Sequence, residues 1–303
     1  MEEKFYDRLV HTLDKDHVLL KELMSRHTTF RIGGAADYFV MPQTADEVEA
    51  VIKMCRESEI PYYILGNGSN LLVGDRGFRG VIIQIGKEMS GIVIEGTALR
   101  VQAGALLSRA AKEAADHELT GMEFAAGIPG TLGGAVVMNA GAYGGEMKDI
   151  LREVTVLDGE GHRKVLTNKE LELGYRTSIV ARNGYIVLEA VIDLDRGNKE
   201  EIQALMDELR NKRVSKQPLE YPSAGSTFKR PEGYFAGKLI DDAGLRGFQV
   251  GGAQVSEKHC GFVINKNNAT AEDVMNLMKQ VSEKVNEKFG VTLEPEVKRL
   301  GEF

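Results

Sequence analysis

Cysteine is scarce in this chain: it has only Cys55 and Cys260, far apart and in no Cys-x-x-Cys pair. That excludes a disulfide-stapled scaffold and a thiolate zinc ribbon, and it fits a reducing compartment. The six histidines show no His-Glu-x-x-His or other metal-ligand spacing, so no metal is expected. A basic excess is also missing, since 38 Lys and Arg face 45 Asp and Glu for a formal charge of −7. A dedicated nucleic-acid binder would carry a basic face, so nucleic acid is not expected as a partner. No apolar run approaches the ~18 residues of a membrane span. The opening MEEKFYDRLVHTLDKD is acidic and amphipathic, unlike a signal peptide. The expectation is a cytoplasmic protein with no membrane contact.

Glycine, by contrast, is abundant at 34 of 303 residues, against a background of ~7%. The length predicts about two domains. Residues 2–24 read as helical, through Phe5, Leu9, Leu13 and then Val18 to Leu23. Thr44 and Glu47 form a capping box opening a helix that carries Val48, Val51, Ile52 and Cys55. Strands are expected at 37–41, 62–65, 80–85, 153–157 and 185–194, with a hairpin at 92–94 and 99–101. Further helices are expected at 105–119, from Asn198 to about Val214, and from Thr270 to Gly290, with a last strand at 296–300. Helices and strands are mixed without regular βαβ alternation, so the fold class is α+β, with a break near residues 195–200.

The glycines concentrate in two places. Gly66-Asn67-Gly68-Ser69-Asn70 comes directly after the strand 62–65, which raises a dinucleotide-binding reading. That reading fails because Leu71 occupies the third glycine position and Val73 to Gly77 reads as a turn, offering no helix to a pyrophosphate. A loop whose backbone N–H groups cradle an anion remains, and so does a plain strand-to-strand turn. The second cluster runs Gly127-Ile128-Pro129-Gly130-Thr-Leu-Gly133-Gly134, through Asn139 and Gly141, to Gly145. From Gly127 to Tyr143 it carries no charge, and small residues let a backbone approach a flat ligand closely. Two separated anion cradles fit an extended two-phosphate ligand such as FAD. There is no Walker A sequence, since Gly237-Lys238 is followed by Leu239. Ser226 also lacks the glycines of a hydrolase elbow.

Beside these clusters stand His27-Thr-Thr, Met138-Asn-Ala-Gly141, Tyr175-Arg-Thr-Ser178, Ala224-Gly-Ser226, Ala236-Gly-Lys-Leu-Ile-Asp241, Gly251-Gly-Ala253 and Glu294-Pro-Glu-Val297. Together they resemble the UDP-N-acetylenolpyruvoylglucosamine reductase (MurB) family along nearly the whole chain, in its shorter subclass without an extra substrate-covering loop. The resemblance implies an FAD-binding fold of the vanillyl-alcohol-oxidase (PCMH) type in two subdomains, 1–86 and 87–196. A C-terminal α+β substrate-binding domain, 197–303, would complete the chain, and the protein would be a monomer. It implies a flavoenzyme with non-covalent FAD and NADPH as reductant, making UDP-N-acetylmuramate from UDP-N-acetylglucosamine enolpyruvate for peptidoglycan.

Carried over residue by residue, the resemblance makes Arg176, Ser226 and Glu296 catalytic. Arg176 would hold the enolate charge, Ser226 would donate the proton, and Glu296 would face the substrate carboxylate, with Glu294 two residues away as its competitor. Gly66, Asn67, Gly68, Ser69, Asn70, Gly127, Ile128, Pro129, Gly130, Gly133, Gly134, Asn139 and Gly141 would contact the cofactor. Tyr175, Arg213, Lys216, Tyr234 and His259 would contact substrate, with Lys229 and Arg230 as further phosphate candidates. The competing readings are a sugar oxidase of the same fold, usually with a flavin linked to His or Cys, and a non-catalytic nucleotide-sugar binder.

Overall fold

The computed structural model describes residues 2–303. The chain divides into two compact units, interleaved along the sequence. The first takes the N-terminal stretch to Leu19, Tyr38–Asn67 and Gly80–Arg213; the second takes Leu20–Asp37, Gly68–Arg79 and Val214–Phe303. This partition differs from the three-way division by role that the resemblance implies.

The first unit is built on a five-stranded antiparallel sheet. Its order is Arg163–Thr167, Leu151–Leu157, Ile186–Asp193, Ala98–Gln102, Ile92–Glu95. The last two strands are the expected hairpin. In Ile92–Glu95 the side chains alternate, with Ile92 and Ile94 packed inward and Val93 exposed, the period of a half-buried strand. In the same unit, Tyr62–Leu65 pairs in parallel with Phe78–Gln84, Tyr62 opposite Val81. Half of the expected capping box forms at the helix Ala45–Glu57: Thr44 Oγ1 accepts from the Glu47 N–H at 3.1 Å, but the Glu47 carboxylate turns to the Gln43 N–H at 2.7 Å. The helix's Val48, Val51, Ile52 and Cys55 join the core with Phe5, Leu9 and Leu13.

One stretch departs from the sequence reading. The helix Glu2–Thr12 stops early, a short 3-10 turn comes next at Lys15–His17, and Val18–Leu23 is a strand. Only Val18 of that strand is buried, so its apolar residues serve no helix face. Its backbone is held by the neighbouring strand Ala35–Val40 in sheet order. Leu20 and Leu23 are left exposed.

The second unit has a four-stranded antiparallel sheet in the order Ser223–Ser226, Phe262–Asn265, Ala253–Val255, Gln249–Val250. The helix Ala271–Phe289 packs on it through Val274, Leu277, Met278, Val281 and Val285. Burying each such side chain contributes about 1.5–3 kcal/mol. The helix starts at the expected Thr270, where Thr270 and Asp273 form a capping box in both directions, and Gly290 ends it in the left-handed region. The expected last strand is shorter than read: Lys298–Leu300 pairs in parallel with Leu71–Val73. Among the described residues no helix is long and apolar enough to cross a membrane.

Candidate functional site

The glycine clusters meet inside the first unit. A Cβ on Gly66 would stand 2.4 Å from Thr131 Oγ1, so the two loops touch only because residue 66 has no side chain. Asn67 Nδ2 donates to the Pro129 carbonyl at 3.1 Å, a second tie between the loops. The turn of the second cluster leads into a short helix, Leu132–Met138. The N–H groups of Leu132 and Gly133 donate to Ala105 and Ala103, both at 2.8 Å, which fixes where the helix begins. Gly141 pairs with Glu146 in a two-stranded ribbon beyond it.

The chain then passes into the second unit. Gly68 has φ +61°, and a Cβ there would lie 2.2 Å from the His27 carbonyl oxygen. Ser69 is half-buried. Asn70 Nδ2 donates to the Glu296 carbonyl at 3.3 Å, and the Asn70 carbonyl accepts from the Lys298 N–H at 3.0 Å. The strand Leu71–Val73 runs into a turn at Gly74–Gly77 and into no helix, in line with the rejection of the dinucleotide-binding reading.

Arg213 lies against the second glycine cluster. Its Nη1 would stand 3.1 Å from a Cβ placed on Gly127. Burial pulls the guanidinium below its usual pKa, while the charge of and a hydrogen bond to Tyr143 act the other way. Among the described residues, Nε and Nη1 are buried without a hydrogen-bond partner. A buried cation with unused donors is costly unless an anion reaches it. The uncharged Gly127–Tyr143 segment supplies no such anion. A phosphate-bearing ligand therefore fits these residues.

Arg176 occupies the third position of a tight turn closed by Gly174 N–H to Thr177 O at 3.1 Å and Thr177 N–H to Gly174 O at 3.2 Å. Its φ is +54°, a left-handed conformation that costs an L-residue about 1–2 kcal/mol. Such strain collects at functional positions. The guanidinium is 5.5 Å from the centroid of the exposed Tyr175 ring.

Ser226 and Glu296 belong to the second unit and lie on adjoining segments. The register slips between Ser223 and Ser226, and Gly225 has φ +75°. The next residue, Thr227, is locked in place. Its N–H donates to Gly261 O at 2.8 Å, its Oγ1 accepts from Val263 N–H at 2.9 Å, and its carbonyl accepts from Glu296 N–H at 2.8 Å. Ser226 is exposed beside this anchor, and Glu296 is buried at 8% exposure.

The two competing glutamates differ in surroundings, Glu296 buried and Glu294 exposed. Pro295 bridges Phe228, and residues 294–296 lie outside the strand. Glu294 is exposed and ion-paired to Lys229 Nζ at 2.9 Å.

The remaining candidates are spread over both units. Lys216 is exposed at the end of the helix Lys199–Lys216. His259 is half-buried, and burial foremost, then the charges of Arg246 and Lys216, push its pKa down against a raising backbone hydrogen bond. Its Nδ1 accepts from the Gly261 N–H at 3.1 Å, which leaves the neutral ring's proton on Nε2. Tyr234 is exposed, and the Arg230 guanidinium lies over the Phe235 ring at 4.4 Å. Sequence reasoning missed Tyr143 beside Arg213, Thr227 beside Glu296, and Ser178 as an anchor. Of these, only Ser178 carried a local signal, a helix N-cap before an apolar run.

Comparison with known proteins matches residues 36–167 to an FAD binding domain. Residues 217–300 match the UDP-N-acetylenolpyruvoylglucosamine reductase C-terminal domain. The chain is 53% identical over 302 residues to UDP-N-acetylenolpyruvoylglucosamine reductase of Caldanaerobacter subterraneus subsp. tengcongensis, covering 100% of both. It is 52% identical over 300 residues to that of Clostridioides difficile, covering 99% of both. The crystal structure of UDP-N-acetylenolpyruvylglucosamine reductase (MurB) from Thermus caldophilus superposes with a TM-score of 0.80 at 38% identity. That match covers 93% of this chain and 98% of the other. The expected α+β fold with an FAD-binding region is therefore correct, and the protein is an FAD-containing oxidoreductase. With full-length relatives at this identity and both of its domain types matched, the chain belongs to the UDP-N-acetylenolpyruvoylglucosamine reductase family.

Proposed function

We propose that this protein reduces UDP-N-acetylglucosamine enolpyruvate to UDP-N-acetylmuramate, with NADPH as the electron source, in the supply of peptidoglycan precursors. The observation that carries the reading is the pairing of exposed Ser226 with buried Glu296 through the Thr227 anchor. A proton donor and an acidic group held on adjoining rigid segments suit protonation of a carbon next to a carboxylate. When bound, FAD supplies the two-electron relay from NADPH to the methylene carbon of the enolpyruvyl ether.

The other steps fall to the chain's own side chains. As hydride arrives, negative charge develops on the neighbouring carbon and its carboxylate. Arg176, a planar and permanently charged group, holds that charge. Ser226 Oγ delivers its proton to the carbon; so weak an acid can protonate only something as basic as an enolate. Glu296 faces the substrate carboxylate, which requires it to hold a proton or sit beside a cation, since bare carboxylates repel. The glycines at 66, 68, 127, 130, 133, 134 and 141, with Asn67, Ser69, Asn70, Ile128 and Pro129, make the cofactor contacts. Arg213, with Lys216, Tyr175, Tyr234 and His259, makes substrate contacts, Arg213 on phosphate. In role the chain divides into 1–86 and 87–196 for the cofactor and 197–303 for substrate, in a cytoplasmic monomer.

The test is Ser226→Ala in a stopped-flow comparison. Reduction of the flavin by NADPH stays near the wild-type rate, while turnover falls by ~10²–10⁴. Arg176→Ala loses at least ~10²–10³ in turnover. Wild-type turnover in Ser226→Ala removes the serine from the chemistry.

A further inference from the structure

Asn139 looks from the sequence like a cofactor contact, yet its carboxamide is engaged within the protein. It is 2% exposed. Its Oδ1 accepts from the Lys148 N–H at 2.9 Å, and its Nδ2 donates to Glu146 Oε2 at 3.0 Å and to the Gly174 carbonyl at 3.3 Å. Both amide protons are used. Asn139 is also the left-handed cap that ends the helix Leu132–Met138, a place asparagine tolerates well. Gly174 opens the strained turn that bears Arg176.

On the far side of that turn, Ser178 is fully buried, and its Oγ donates to the Val137 carbonyl at 2.8 Å. The same oxygen accepts from the Ala181 N–H at 3.1 Å and caps the helix Ile179–Asn183. The turn is thus held at both ends, by Gly174 O and by Ser178 Oγ, to the last residues of one helix, the helix of the second glycine cluster.

We propose that Asn139 and Ser178 are positioning residues, a two-point clamp that keeps the Arg176 backbone in its left-handed conformation and sets where the guanidinium stands. Without the clamp the turn relaxes to negative φ at Arg176 and the charge swings away. The inference rests on the role of Arg176 as holder of the enolate charge, and it moves Asn139 out of the set of cofactor contacts.

The experiment uses the FAD-loaded protein and two substitutions the backbone tolerates: Asn139→Gly, which keeps the left-handed cap, and Ser178→Gly, which removes the tie to Val137 and leaves a residue accepted at a helix N-cap. Release of FAD on dilution, monitored by the return of flavin fluorescence, stays within ~threefold of wild type. The rate of flavin reduction by NADPH does the same. Turnover at saturating substrate falls ~10–100-fold, the scale of a misplaced reacting group.

In an Arg176→Ala background each substitution costs less than ~threefold more, because the group it positions is gone. Losses that multiply in that background overturn the proposal. So does FAD release accelerated more than ~tenfold in folded Asn139→Gly, which would put the amide on the cofactor. If Asn139→Gly does not fold, Ser178→Gly decides by the same cycle. A fully active Arg176→Ala removes the underlying reading and the clamp's purpose with it.

Discussion

Replacing Arg213 by methionine separates ligand binding from folding. Among the described residues nothing bonds the buried Nε and Nη1, and burial depresses the guanidinium pKa. Exchanging such a group for an apolar one of similar length removes a desolvation cost, so the ligand-free protein is expected to be as stable as wild type or more so. Binding moves the other way. A hydrogen bond to a charged group contributes about 1.5–3 kcal/mol, and Nε and Nη1 offer two. Loss of one such bond predicts a ~10- to 150-fold rise in Kd for the nucleotide sugar, and loss of both more.

The assay is a titration of the FAD-loaded protein with UDP-N-acetylglucosamine enolpyruvate, read by perturbation of the flavin absorbance, with a urea unfolding curve of the apo-protein beside it. Unchanged substrate affinity with a lowered urea midpoint would refute the reasoning, since Arg213 would then be a structural group. Weakened FAD retention with unchanged substrate affinity would refute the assignment to substrate.

Gly68→Ala pays about 1–2 kcal/mol for the left-handed backbone alone, and its methyl meets the His27 carbonyl, so the urea midpoint falls; an unchanged midpoint contradicts the close approach. His259 has its pKa lowered on folding, so its neutral ring favours the folded state. That contribution is complete above the unfolded value of 6.5 and is lost as pH falls below it, through the folded value. An NMR titration should therefore place the His259 midpoint below 6.5, and His259→Gln should flatten the acid side of the stability profile. Burial holds Cys55 up at about 12 and Cys260 at about 11, so neither thiol of the folded protein is alkylated by iodoacetamide at pH 8 on the timescale of a free cysteine; rapid labelling by mass spectrometry contradicts this.

Features decided by near neighbours in the chain were legible in the sequence. The caps at Thr44 and Thr270, the hairpin before residue 102 and the turn that breaks the dinucleotide-binding pattern each rest on a few adjacent residues. The strand Val18–Leu23 was not legible, because its apolar residues suit a helix equally well and only sheet pairing decides. Nor was the parallel pairing of Lys298 with Leu71, which joins distant parts of the chain and fixes the stretch before it, including Glu296. The sequence named Arg176 and Asn139 but not their connection through Gly174, since a hydrogen bond across 35 residues leaves no periodic trace.

The central claim is tested most directly by mixing the purified yellow protein with NADPH and UDP-N-acetylglucosamine enolpyruvate and recording absorbance at the nicotinamide band. The account predicts one NADPH consumed per UDP-N-acetylmuramate formed, negligible sustained consumption without the enolpyruvyl substrate, and flavin released intact on acid or heat. Brisk NADPH oxidation by oxygen alone, or a colourless protein that binds the nucleotide sugar without reducing it, would contradict the account.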